Sequence, residues 1–162
     1  MSSSYSFIIY GQPATKKNSA TMVKGRSILL PSKAYKEYEK QARVQLRQLP
    51  DLPHYELGVR LTARYYLKDK AHYPDLVGLM QATADILSDE YKTYMGKRTL
   101  IQEWILADDR IIKSWDGTRI AGIDKAQPRV EITIEDLPAN FDEETDPYII
   151  RLLKEKQEIP LF

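Results

Sequence analysis

The chain has 162 residues, 24 Lys and Arg against 23 Asp and Glu, and 43% hydrophobic residues, which is enough for one domain with its own core and ordinary for a globular protein. It has no cysteine, which excludes disulfides, thiolate zinc sites and iron–sulfur clusters. The net charge of +1 hides a split, because residues 1–70 carry 13 basic and 5 acidic side chains while residues 71–162 carry 11 and 18. Cations to hold phosphates and carboxylates to hold metal would look like this, and so would two solvated faces of opposite sign.

In chain order, SYSFIIYG (4–11) is a β-branched and aromatic run that predicts a first strand. The opening MSSSYSFIIY has neither a charged leader nor a long apolar stretch, so no signal peptide is expected, and no segment approaches the ~18 apolar residues of a membrane span. Residues 12–26 mix Pro, Gly, Asn and Ser with Lys16, Lys17, Lys24 and Arg26, a loop or loose hairpin whose Asn18 and Ser19 could also bond phosphate oxygens. SILL (27–30) could be a short strand. From Ser32, a predicted N-cap, apolar positions at Ala34, Tyr35, Tyr38, Ala42, Leu46 and Leu49 make one helical face opposite Lys33, Lys36, Lys40, Arg43 and Arg47.

Strict alternation of Leu57, Val59, Leu61, Ala63, Tyr65 and Leu67 predicts a strand over 56–68. A helix is expected from Asp75 to Leu87, and residues 88–104 read as a loop with a short helix at its end. RIIKSW (110–115) and PRVEITIED (128–136) read as strands joined by a turn-rich stretch. An acidic linker and a short amphipathic helix from Pro147 to Lys156 close the chain. The order predicts an α+β or mixed α/β fold, a single domain with a mixed β-sheet and helices packed on it, over residues 1–136, with 137–162 as linker and tail helix.

Candidate chemistry centres on aspartates. Asp75 follows Pro74 at the mouth of the helix, where a carboxylate satisfies orphan N–H groups and complements the dipole. It could also be half of a metal site. Asp85 cannot share an ion with it, since ten helical residues rise about 15 Å, and reads as a solvated or salt-bridged helix residue. Asp108 and Asp109 offer the hard oxygens that Mg²⁺ prefers, or are an ordinary Asp-Asp turn. His72 could add an imidazole or be a plain surface residue. Asp116 with Gly117, and Asp124 with Lys125, read more simply as turns.

PDLVGLMQATADIL, then ADDRIIKSWDGTRI, then PRVEITI, after an opening YGQPATKKNSA, resemble the RusA-like family of Holliday-junction resolvases over roughly residues 5–135. The resemblance implies an α/β fold and a phage or prophage endodeoxyribonuclease in the cytoplasm of a bacterial host. It implies a homodimer that cuts branched double-stranded DNA with Mg²⁺ or Mn²⁺. It puts catalytic aspartates at Asp75 and Asp109 and metal ligands at Asp75, Asp108 and Asp109. DNA contacts are expected from Lys16, Lys17, Asn18, Lys24, Arg26, Arg119, Lys125 and Arg129. Two positions depart from the family pattern: Val77 stands where a second carboxylate is usual, and Gln81 where a lysine is usual, with Lys113 or Lys125 as candidate substitutes. An active enzyme with a rearranged site, a weakened nuclease and a junction binder that does not cut all remain compatible with those departures.

Overall fold

A computed structural model describes residues 4–16, 18–23, 26–71, 73–137 and 144–158, with the backbone alone for 18–23, 26–31 and 158. Strand β1 (Ser4–Tyr10) ends at Gly11, whose φ of +118° suits a residue without Cβ. The basic stretch after it takes the hairpin form: β2 (Asn18–Val23) pairs antiparallel with β3 (Arg26–Pro31), apart from the main sheet. Helix α1 (Lys33–Arg47) starts where Ser32 predicts, its Oγ accepting the Tyr35 N–H at 3.2 Å, and it buries Tyr35, Tyr38, Ala42 and Leu46.

Strand β4 (Val59–Leu67) buries every second residue from Val59 to Leu67, as the alternation requires. Helix α2 (Leu76–Leu87) follows. The next segment differs from expectation: instead of a loop and short helix there is a two-stranded hairpin, β5 (Glu90–Tyr94) and β6 (Lys97–Gln102), turning through Met95 and Gly96, both at positive φ. It buries almost nothing, so it leaves no hydrophobic period to read. RIIKSW is also divided, into a single 3-10 turn (Asp109–Ile111) and the three-residue strand β7 (Ile112–Ser114), while the supposed turn region holds strand β8 (Arg119–Ile123). Strand β9 (Arg129–Asp136) and helix α3 (Pro147–Glu158) lie where expected.

The main sheet is mixed. β9 lies between β1 and β4, antiparallel to both, and the other edge of β4 is shared by β7 and β8, each parallel to it. Where those two short strands leave a gap, Thr118 Oγ1 accepts the Ala63 N–H at 3.0 Å and Thr62 Oγ1 donates to Asp116 O at 3.0 Å. Gly117, at φ +82°, lets the intervening turn close over Thr62. The sheet and helices enclose one core, from Ile9, Leu61, Tyr65 and Ile132 to Leu46, Leu79 and Ile86. Ile149 of α3 is fully buried, so the tail helix belongs to the body. The result is a single-domain α+β architecture. No helix among the described residues is long and apolar enough to cross a membrane.

The Tyr65 hydroxyl is a buried polar group that links sheet to helix. It lies 2.7 Å from Thr83 Oγ1 and donates to Leu79 O at 3.1 Å. Thr83 keeps its own bond to Leu79 O without it, so Tyr65→Phe is expected to lower stability by only about 1 kcal/mol, read as a shifted urea midpoint at unchanged slope.

Candidate functional site

Trp104, Ile105 and Leu106 carry the chain under the end of α2, and all three are buried. Both Ile105 and Leu106 N–H groups donate to Leu87 O, at 3.0 and 2.9 Å, and Asp89 N–H returns to Leu106 O at 2.8 Å. On the other side Tyr55 N–H donates to Ile105 O at 2.7 Å and Ala107 N–H to Tyr55 O at 2.9 Å. This stitching brings Asp108 and Asp109 beside the last turn of α2, where Asp85 faces outward.

There the chain forms a polar cleft of about 290 Å³. Asp85, Asp89, Asp108, Asp109 and Glu39 line it, against Lys16, Arg43 and Arg98. Lys16 Nζ lies 3.2 Å from Asp85 Oδ2 and Arg98 Nη2 3.4 Å from Asp108 Oδ2. Arg43 is a clamp: it meets Glu90 at 2.9 Å and Glu39 at 3.5 Å, donates to Asp85 O, and lies over the Trp104 ring. The last turn of α2 holds no basic residue of its own. Carboxylates gathered at the negative end of a helix dipole have the unfavourable sign there, and cations from other elements offset it.

Asp108 caps the 3-10 turn, Oδ1 accepting the Arg110 N–H at 2.9 Å. Burial pushes its carboxyl upward, but the Arg110 N–H, a bond with Asp109, the Arg110 charge and Arg98 outweigh it and hold the group below the usual carboxylate range. Asp109 goes the other way: burial raises it, as do the bond with and charge of Asp108 and the charge of Asp85, against Arg110. Like-charge crowding of this kind is what a divalent cation relieves. The carboxylates of Asp85, Asp108 and Asp109 share this cleft, although among the described residues the acidic group whose ligand atoms all lie within 4.8 Å of one another is a different one, His54, Asp89 and Glu103.

A second grouping adjoins the cleft through Asp89. His54 Nε2 is 2.8 Å from Asp89 Oδ2 and 3.7 Å from Glu103 Oε1, and the ligand atoms of His54, Asp89 and Glu103 all lie within 4.8 Å of one another. The mixed nitrogen and oxygen donors suit a transition metal better than Mg²⁺. Asp89 is also explained as a structural ion: only 2% of its side chain is exposed, its Oδ1 accepts the Trp104 N–H at 2.7 Å, and His54 holds the other oxygen.

The structure separates Asp75 from this cleft. Asp75 is the N-cap of α2, Oδ2 accepting the Gly78 N–H at 2.9 Å, and it lines a different recess with Tyr73, Pro74, Leu76 and Ile120. A helix of this length puts it about 15 Å from Asp85, so Asp75 and Asp109 do not meet. Gly78 stands where a capping box would have an acid because a Cβ there would lie 2.8 Å from Asp75 Oδ1 and 3.0 Å from Thr15 Cγ2. Val77 and Gln81 share the open stripe of α2 that leads to Asp85.

Of the expected DNA contacts, the structure brings Lys16 to the cleft. Arg129 is engaged elsewhere, with Asp124 at 2.8 Å, Glu131 at 3.0 Å and the Tyr66 ring. Arg119 opens β8 and Lys125 lies in the turn before β9, both exposed. Asn18 and Arg26 lie in the β2–β3 hairpin, and Lys17, Lys24 and His72 lie outside the described residues. Asp85, read from sequence as a solvated or salt-bridged helix residue, is bridged to Lys16 at 3.2 Å, while sequence reasoning singled out none of Asp89, Arg98 and His54. No protein-family model and no curated protein matches the chain.

Two stability measurements follow. Asp75→Ala should cost about 1 kcal/mol through loss of the cap. His54→Ala should cost about 1–3 kcal/mol by leaving the buried Asp89 carboxylate half-satisfied; equal stability of that variant and wild type by urea titration would mean Asp89 does not depend on the imidazole.

Proposed function

We propose that this chain is a metal-dependent endodeoxyribonuclease that resolves four-way DNA junctions, with Asp85, Asp108 and Asp109 as its carboxylate set. The observation that carries the reading is the meeting of Asp85 with the Asp108–Asp109 pair in a polar cleft rimmed by Lys16 and Arg98. Support also comes from the resemblance of PDLVGLMQATADIL, ADDRIIKSWDGTRI and PRVEITI to RusA-like chains. The reading moves the helix carboxylate from Asp75 to Asp85.

A bound Mg²⁺ or Mn²⁺ would activate a water and stabilise the leaving 3′-oxygen of the phosphodiester. The protein's own part is positional. Asp108 is held below the usual carboxylate range by the Arg110 N–H, Asp109, Arg110 and Arg98, and Asp109 is pushed above it by burial and by the bond and charge of Asp108, crowding that a bound cation would relieve. Lys16 and Arg98 are the cations able to exchange a carboxylate for a backbone phosphate at the cleft. Two symmetric nicks require two such clefts facing one junction, so the active species is a homodimer with twofold symmetry.

A second reading is a junction binder that does not cut. It is favoured by Val77 and Gln81, which leave the stripe approaching Asp85 without a second carboxylate or a lysine. Cleavage of an end-labelled four-way junction separates the two. Paired nicks should appear with Mg²⁺ and vanish with EDTA. Asp85→Asn and Asp109→Asn should each slow cutting at least about a hundredfold, since several kcal/mol of charge stabilisation is lost, while junction affinity is kept. Asp75→Asn, which preserves a cap, should leave cutting intact. Tight, salt-sensitive binding with no nicks in either metal would establish the binder instead.

A further inference from the structure

Apart from Arg98, the hairpin of β5 and β6 has no place in that chemistry, yet it is built on the rim of the cleft. We propose that it is a nucleic-acid arm: its outer face takes unpaired bases beside the branch point, with Tyr94 as a stacking platform and Lys92 and Lys97 as phosphate ligands. The inference rests on the junction reading and assigns recognition of the branch to one element.

The register decides which side chains share a face. Tyr91 is opposite Leu100 and Thr93 opposite Arg98, whereas Lys92 is opposite Thr99 and Tyr94 opposite Lys97. The first set is turned to the body: the Arg98 guanidinium lies 3.7 Å from the Tyr91 ring centre and reaches Asp108, and Tyr91 OH donates to Ala107 O at 3.3 Å. The second set is left outward, a lysine–tyrosine–lysine strip that Ile101 extends toward the base. No acidic side chain occurs from Tyr91 to Gln102.

Exposure and backbone geometry agree. Every residue of β6 is exposed, and so are Lys92, Thr93 and Tyr94 of β5, the last with 72% of its surface free. A two-stranded ribbon gains little from its own ladder and is normally packed on something. At the turn, Met95 at φ +51° precedes Gly96 at φ +78°. That conformation favours Asn or Gly before the glycine, so a methionine that is 88% exposed is neither a turn former nor a core residue. An apolar tip flanked by cations is suited to inserting beside an unstacked base, and an aromatic ring between two lysines to stacking a base while its phosphates are held. The tip projects about 7 Å beyond Arg98, within reach of DNA seated over Asp108.

The test uses the full chain and fluorescence anisotropy on a labelled four-way junction and a linear duplex of the same sequence. Tyr94→Ala should weaken junction binding about tenfold or more, with little change on the duplex, and Tyr94→Phe should restore it. Replacing Lys92 and Lys97 together by Ala should lower the magnitude of the salt slope by about 2. All three changes lie on an exposed ribbon, and an unaltered thermal midpoint confirms that each variant is folded. Wild-type junction affinity in both Tyr94→Ala and the double lysine variant, alongside loss of cutting in Asp109→Asn, would overturn the arm and leave the nuclease reading standing. Loss of a dimer in sedimentation without loss of DNA affinity would also overturn it, assigning the hairpin to contact between copies. Failure of the wild type to bind either DNA would overturn both.

Discussion

The backbone hydrogen bonds around Ile105 and Leu106 are the constraint on which the functional half of the molecule depends. Five of them tie three separate stretches, at residue 55, at 87–89 and at 105–107, into one knot beneath the end of α2. Each contributes about 1 kcal/mol net. Full burial of each large apolar side chain in the Trp104–Leu106 segment adds about 1.5–3 kcal/mol. The knot does more than close a loop. It fixes the hairpin's two roots side by side, sets Asp108 and Asp109 against α2, and leaves Asp89 buried with the Trp104 N–H and His54 as its partners.

The two ends of α2 show how the same residue type serves opposite purposes. At the start, Asp75 complements the positive end of the dipole and binds an orphan N–H, so its carboxylate is fully accounted for by the helix. At the far end, Asp85 sits at the negative pole beside Asp109 and above the buried Asp89. The helix itself gives no benefit to carboxylates there; Asp89 is held by the Trp104 N–H and His54, and Asp85 by Lys16. The fold carries their mutual repulsion by importing Lys16 from the loop after β1, Arg43 from α1 and Arg98 from β6. A site whose charges are balanced by three distant elements is costly to assemble.

That arrangement also revises the meaning of the charge split along the chain. The basic first part and acidic second part do not become two faces. β1 pairs with β9 across nearly the whole sequence, and Lys16 and Arg43 from the first part lie among carboxylates from the second. The split is therefore partly spent on pairs inside one cleft. Among the described residues, Lys92 and Lys97 of the hairpin's outer face have no acidic partner, and they come from the acidic part of the sequence.

Local pattern by itself determined the elements that bury a face. Alternation placed β4 and β9, helical spacing placed α1, and Ser32 and Asp75 marked the two caps, because burial of one side imposes a period that single residues can display. The hairpin, the division of RIIKSW and strand β8 were not legible, since each is short or exposed and is held by partners far away in sequence. The site was half legible for the same reason. Asp108 and Asp109 could be singled out as an acidic pair, but which end of α2 they join depends on where Leu106 is stitched, and no spacing encodes a hydrogen bond to Leu87 or Tyr55. Sequence decided which residues could carry charge and which must be buried. Only the tertiary structure decided that Asp85, rather than Asp75, meets the pair, because that choice is made by long-range backbone bonds and a buried Trp–Ile–Leu segment.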